Sequence, residues 1–316
     1  MKKQIITLLF GVAFLNSNAQ DYDKFVQKAD SCYFQKNFSL AKEFFKKAFE
    51  SDPKTKKGYY NAACVATLAN DKDLAFKWIN IAIENGFDNI NQLKADTDLK
   101  NLQEDGRWIK IIKDLQHKVD LREANYDKPL QKELISIFYE DQNIRQQYIG
   151  AQRKYGYDSN IVDSIGKIMA YTDSVNLTKI KKIINEKGWV GKDKVGQQAS
   201  TTIFLVIQHS DLKTQQHYLP IMRDAVKKGN ADASSLALLE DRVALGEGRK
   251  QIYGSQIGIN PTTKKQYILP LLDPDNVDKR RAEVGLEPLS EYAKNWNIVW
   301  NVEAYKKENQ EHIEMK

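Results

Sequence analysis

Between Phe25 and about Ala82 the chain repeats itself at an offset of 34 residues, and that repeat narrows its possible folds more than any other feature. Phe25 maps onto Tyr59, Ala29 onto Ala63, Ala41 onto Ala75, Phe45 onto Ile79 and Ala48 onto Ala82. A period of this length holds two helices and a turn, and one such unit cannot bury its apolar face alone, so neighbouring units must stack. Small residues fall where two helices approach closely, and aromatic or aliphatic ones fill the gaps beside them. Pro53 closes the first unit, because a helix cannot continue through it.

This alternation resembles tetratricopeptide repeats over two units, with a departure at Cys32, where an aromatic is usual in that family. The resemblance implies a concave surface that takes a peptide or another protein; structural packing against the rest of the chain is the competing reading. A third, degenerate helical pair is expected over residues 90–99 and 107–117, with Trp108, Ile111, Ile112 and Leu115 on one face, serving as the cap of the solenoid. Gly86 suits the helix end before it.

The N-terminus carries an address. Lys2 and Lys3 precede an apolar run from Ile5 to Leu15, then Asn16-Ser17-Asn18-Ala19. A basic start, a short apolar core and small residues before a cut make a signal peptide over residues 1–19, too short to span a bilayer. An exported protein, periplasmic or secreted, is expected, with no membrane span after the leader is removed. No Cys follows the predicted cut, which disfavours a lipid anchor. The formal charge of +6 includes Lys2 and Lys3, so the mature chain stands near +4. Lysines and acids alternate along it instead of clustering, which argues against a nucleic-acid partner. Export permits a disulfide between Cys32 and Cys64, the two cysteines of the chain; two small buried thiols fit them equally well.

The rest of the chain reads as a helical domain, 121–305, with a frayed tail at 306–316. Its opening, about 121–128, is charged and links the two parts. A helix starts near Asp127 with Pro129 in its first turn and carries Leu130, Leu134, Ile137 and Phe138 inward. Asp141 and Arg145 fall on or beside that stripe four residues apart, as an internal ion pair or as groups facing a cleft. Helices are expected at 160–171 and 173–187, the second ended by Gly188. Trp189 follows in a Gly-flanked loop, as a core plug or a pocket wall. A helix from about 194 carries Ile203-Phe204-Leu205-Val206-Ile207, apolar on nearly all sides, and delivers Gln208 and His209 at its end. Asp211 caps the next helix, in which Pro220 predicts a kink or break. Glu240, Asp241 and Arg242 are consecutive on a further helix, so they point about 100° apart. Gln251–Ile259 and Gln266–Leu271 read as a small β hairpin. A short helix at 273–284 and a longer one at 289–305 complete a mostly α fold.

The chemistry is sparse. Of four histidines only His209 sits within a polar signature, and no spacing matches a zinc site, so neither a metal nor a cofactor is expected. Gly246-Glu247-Gly248 follows a helix and precedes a strand, the reverse of a phosphate-binding loop. His209 is the acid-base candidate, with Asp241, Asp211 or Glu240 as its carboxylate; such a pair also serves as a buried structural hydrogen bond. Arg242 and Arg145 can clamp a carboxylate or phosphate, and Gln208, Gln251, Tyr253 and Gln256 can hydrogen-bond a polar ligand.

The order Gly188-Trp189, Gln208-His209 with Asp211, Asp241-Arg242, Gln251-x-Tyr253-Gly254-Ser255-Gln256 and then Arg281 to Leu289 resembles a bacterial domain family of unknown function, over roughly residues 129–292. The resemblance implies where to look and no reaction. Three functions fit: an exported binding protein, with the solenoid on a peptide or protein and the second domain on a polar ligand; a metal-independent hydrolase or transferase using His209; or a structural adaptor.

Overall fold

The computed structural model describes residues 14–53, 55–260, 263 and 265–307, with side chains from Asp21 onward. Residues 1–13 of the expected leader, Lys54, Pro261, Thr262, Lys264 and residues 308–316 of the tail lie outside them. The chain divides into two compact units between Ala124 and Asn125.

The first unit begins with two helical hairpins, α1 (Phe14–Phe34) with α2 (Phe38–Ser51), and α3 (Tyr59–Leu68) with α4 (Lys72–Glu84). The repeat seen in the sequence governs their packing: Ala29, Ala63, Ala41, Ala75, Phe45, Ile79, Ala48 and Ala82 are all buried. It also governs the turns. Lys36 and Asn70, 34 residues apart, both take a left-handed conformation (φ 59°). Each is followed by a capping side chain, Asn37 accepting from the Leu40 N–H and Asp71 from the Leu74 N–H. One backbone recipe thus closes both hairpins.

Beyond them come α5 (Ile90–Ala95), a 3-10 turn (Thr97–Leu102) and α6 (Gly106–Glu123), so the expected third pair is one short and one long element. Asp96 breaks the first by capping the turn that follows it. The expected linker shortens to 124–127, because α6 runs on to Glu123 and α7 starts at Lys128. Cys32 and Cys64 are free, buried thiols and not a disulfide.

The second unit is built on two 28-residue helices, α7 (Lys128–Tyr155) and α8 (Asn160–Lys187), packed together. Two separate helices were expected where α8 runs unbroken; Tyr171-Thr172-Asp173 contains no breaker, and Asp173 pairs with Arg145 instead of capping. Gly188 ends α8 at φ 74°. Trp189 then enters the core, joining Leu134, Ile137, Ile180 and Ile203. The helix expected from residue 194 is split: α9 (Lys192–Val195) stops at Gly196, whose φ of 84° suits glycine, and α10 (Gln197–Gln208) begins. Helix α10 contacts α7, α8 and α9, and also α11 (Leu212–Lys227) and α12 (Ala233–Gly246). That central position explains why its apolar residues cover nearly every face. Pro220 does not break α11: it sits on the exposed side, where the carbonyl it leaves unbonded meets water.

After α12 the chain forms a loop, then an antiparallel hairpin of β1 (Ile257–Ile259) and β2 (Gln266–Ile268), with Ile257 opposite Ile268. The strands are shorter than expected, and Gln251 makes only a single bridge to Leu271. The expected 273–284 helix is a 3-10 turn (Pro274–Asn276) leading into α13 (Val277–Glu283). The expected 289–305 helix stops after α14 (Leu289–Lys294), where Asn297 turns left-handed (φ 55°); helical backbone returns at 302–307. A small core of Ile268, Leu271, Val277 and Leu289 seals this end.

Candidate functional site

Three consecutive residues of α12 go three ways, as their helical spacing requires. Glu240 pairs with Arg223 of α11 (2.8 Å) and accepts from the Tyr253 hydroxyl (3.4 Å). Asp241, fully buried, accepts from the backbone N–H groups of Ile252 (2.6 Å), Tyr253 (2.9 Å) and Ser255 (2.9 Å). Arg242 turns toward the end of α10, its Nη1 donating to the Gln208 carbonyl (3.1 Å) and its Nε to Gln256 Oε1 (3.2 Å).

Asp241 is therefore not the partner of His209. It is the anchor of the 252–256 loop. Burial pushes its carboxyl above the ordinary range, although the Ser255, Tyr253 and Ile252 N–H groups oppose that rise. Gln251 is a second anchor, donating to the Gln256 and Leu269 carbonyls (3.1 and 2.8 Å) and accepting from the Gln256 N–H (2.8 Å). A third is Arg281, 1% exposed, which donates to the Tyr253 and Glu287 carbonyls and stacks its guanidinium 4.9 Å from the Tyr292 ring centroid. Tyr292 closes the set by donating to the Ser255 carbonyl (2.8 Å). Gly254 (φ 72°) permits the tight path; a Cβ there would meet Leu289 at 3.0 Å. Gln251 and Asp241 thus belong to a frame, and Tyr253 leaves the expected ligand group by pointing at Glu240. The frame's product is the placement of Gln256 beside Arg242.

The carboxylate of His209 is Asp141, one of the two charges flagged on the stripe of α7. His209 Nδ1 lies 2.9 Å from Asp141 Oδ1. Asp141 is 1% exposed and His209 19%, so the acid is sealed in while the ring reaches the surface of the unit. Asp141 also accepts from Gln142 Nε2 (2.7 Å) and faces Arg145 Nη1 (3.1 Å). Arg145 in turn makes a forked pair with Asp173 of α8, both contacts at 2.9 Å. Burial alone would raise the Asp141 carboxyl; the His209 hydrogen bond, the His209 and Arg145 charges and the Gln142 amide outweigh it and hold the carboxyl below its usual range.

These contacts form a chain. Arg242 touches Gln208, His209 follows Gln208 in sequence, His209 holds Asp141, and Asp141 faces Arg145. Burial, and next to it the Arg145 charge, lower the Arg242 pKa. Gln208, His209, Arg242, Gln256, Asp141 and Arg145 converge. Asp211 does not join them; it caps α11, accepting from the Thr214 N–H (2.7 Å). Sequence reasoning missed Asp173 and Asn176, both on α8. Asp173 was assigned to a cap, and Asn176, wholly buried, has neither side-chain atom hydrogen-bonded. A buried Asn one turn beyond an Asp, amid the apolar spacing of a helix, was the available signal.

Two shallow depressions, one beside Pro129, Lys132 and Lys179 and the other beside Trp108, Ile112 and His117, include none of the convergent residues. In the first unit Cys64, Asp96 and Asp98 bring possible metal-ligand atoms within 4.8 Å of one another. Tyr60 and Tyr33 hydroxyls already donate to these two carboxylates (2.7 and 2.8 Å), and the Cys64 thiol donates to Asp96 Oδ2 (3.6 Å), with burial pushing its pKa up. Asp98's hydrogen bond, with burial, lifts the Tyr33 hydroxyl to about 12. The group reads as a tyrosine-carboxylate clasp.

A mostly helical domain with a framed loop and a convergent polar group defines the class of this second unit. Residues 128–304, more than half of the chain, match the family of unknown function DUF6624, and the protein belongs to that family. No curated protein and no solved structure matches the chain.

Proposed function

We propose that this is an exported binding protein, periplasmic or secreted, whose second unit holds a small polar ligand at the Arg242–His209 group. In this reading the tetratricopeptide-like hairpins of the first unit engage a peptide or protein. One observation carries the ligand reading. The partly buried Arg242 guanidinium faces a carbonyl and an amide and has no carboxylate among the described residues. Such a charge is held at a cost unless something negative or polar completes its hydrogen bonds. The loop frame is spent on placing Gln256 against it, which is the pattern of a site supported by a shell of fixed groups.

The test is a thermal-shift screen of the full mature chain against small polar compounds. At least one compound should raise the midpoint in a saturable way, and Arg242→Gln should abolish the rise while helical circular dichroism is retained. A screen with no saturable compound sinks the reading.

The His209–Asp141 pair favours a second reading, a metal-independent hydrolase or transferase. Asp141 on Nδ1 would set the tautomer that leaves Nε2 as the base. Turnover of a screened ligand, lost in His209→Ala, separates it from the first.

A further inference from the structure

The charges of the convergent group are unevenly paired. Arg145 faces two carboxylates, Asp141 and Asp173, while Arg242 faces none. Of the group's two guanidiniums, Arg242 has no carboxylate beside it among the described residues, and its planar fork suits a planar anion. His209 adds a second handle. Its Nδ1 is occupied by Asp141, and its Nε2 has no hydrogen-bond partner among the described residues. In the neutral ring with its proton on Nδ1, toward the buried carboxylate, Nε2 accepts from an O–H or N–H.

Two buried side chains of the second unit are also incomplete. Gln208, whose backbone carbonyl accepts from Arg242 and which precedes His209 in sequence, is buried with its Oε1 unbonded. Asn176 lies three residues after Asp173 and four before the core residue Ile180, hence on the same face of α8, and both its side-chain polar atoms are buried and unbonded. Buried amides without partners are rare in finished structures and point to a polar group that completes them.

We propose that the ligand of this site is a small monocarboxylate bearing a neighbouring hydroxyl or amino group, its carboxylate on Arg242 and its donor on His209 Nε2. This rests on the reading of the second unit as a polar-ligand module. The class includes 2-hydroxy acids and amino acids, and excludes doubly charged phosphates, because the group's other guanidinium, Arg145, is already paired with Asp141 and Asp173.

The experiment is a nuclear magnetic resonance titration of the full mature chain at constant ionic strength, following the Arg242 Nε–H and the His209 ring. The probes are glycolate, acetate, ethylene glycol and inorganic phosphate. Glycolate should shift both resonances saturably and bind about three- to tenfold tighter than acetate, the worth of roughly one added hydrogen bond. Ethylene glycol and phosphate should not saturate. His209→Ala should leave acetate affinity unchanged and bring glycolate down to it. Arg242→Gln should weaken both by at least about tenfold, as expected for a lost charge-assisted pair, and Arg242→Lys, a gentler change, should weaken them less. Tighter binding of phosphate, equal binding of the neutral diol, or unchanged glycolate affinity in a folded Arg242→Lys and Arg242→Gln would overturn the assignment. A neutral compound from the thermal screen that saturates at Arg242 while glycolate does not would sink the carboxylate and leave the polar-ligand module standing. If no compound saturates in either assay, both fall.

Discussion

Asp241 shows how far a residue's role depends on what its neighbours offer. Its spacing on α12 marks it as inward-facing, and a buried carboxylate beside a histidine signature reads as a catalytic partner. Three backbone N–H groups of one loop reach it first. Asp241→Ala would strand all three, and a loss of about 3–5 kcal/mol is expected in chemical denaturation, against roughly half of that for Asp241→Asn, which keeps one acceptor. Asp141 carries the opposite lesson. Its carboxyl is held below the ordinary Asp range in the folded protein, so its contribution is fully present above the unfolded value of about 3.9 and is lost as pH falls through the lower folded value. The stability gap between wild type and Asp141→Asn should therefore close progressively as pH falls below about 4. A gap that widens on acidification would show that burial, not the His209 and Arg145 partners, dominates this carboxyl.

Among the elements, the first two hairpins are the most legible in sequence, because helix packing and turn geometry obey the same 34-residue offset. Local signals also placed the ends of α7, α8 and α11, where Asp127, Pro129, Gly188 and Asp211 act within one turn of themselves. They failed where a boundary depends on a distant group. Asp173 looked like a cap and is a mid-helix partner of Arg145, because α7 lies alongside to receive it. Pro220 looked like a break and is tolerated because its side of α11 faces water. Pro220→Ala should restore a helix hydrogen bond and raise stability by about 1–2 kcal/mol, the folded gain being reduced by the looser unfolded chain. An unchanged denaturation midpoint would mean that solvent already satisfies the Gln216 carbonyl at no cost. Gly254→Ala should do the reverse, costing about 1–3 kcal/mol through its left-handed backbone and its contact with Leu289, and it should weaken any ligand that needs Gln256.

At the scale of the molecule, the cores are separate: one gathers residues from Ala29 to Leu115, another from Leu130 to Val243, with the small C-terminal cluster beyond. Residues 125–316 produced alone should unfold in one cooperative transition and keep the Arg242-dependent ligand response; an unstructured fragment would show that the second unit needs the first. The sequence by itself determined the mostly helical class, the 34-residue repeat and the stretch in which the polar signatures lie, because periodicity, caps and breakers act within a few residues. It also marked Gln208, His209, Arg242, Gln256, Asp141 and Arg145 as worth testing. Only the tertiary structure decided who meets whom. His209 takes Asp141, 68 positions away, and Asp241 takes a loop 11 to 14 positions ahead. Pairings of buried charges are settled by which helices cross at that level and which N–H groups are left without partners, and neither quantity is written at the spacing of neighbouring residues.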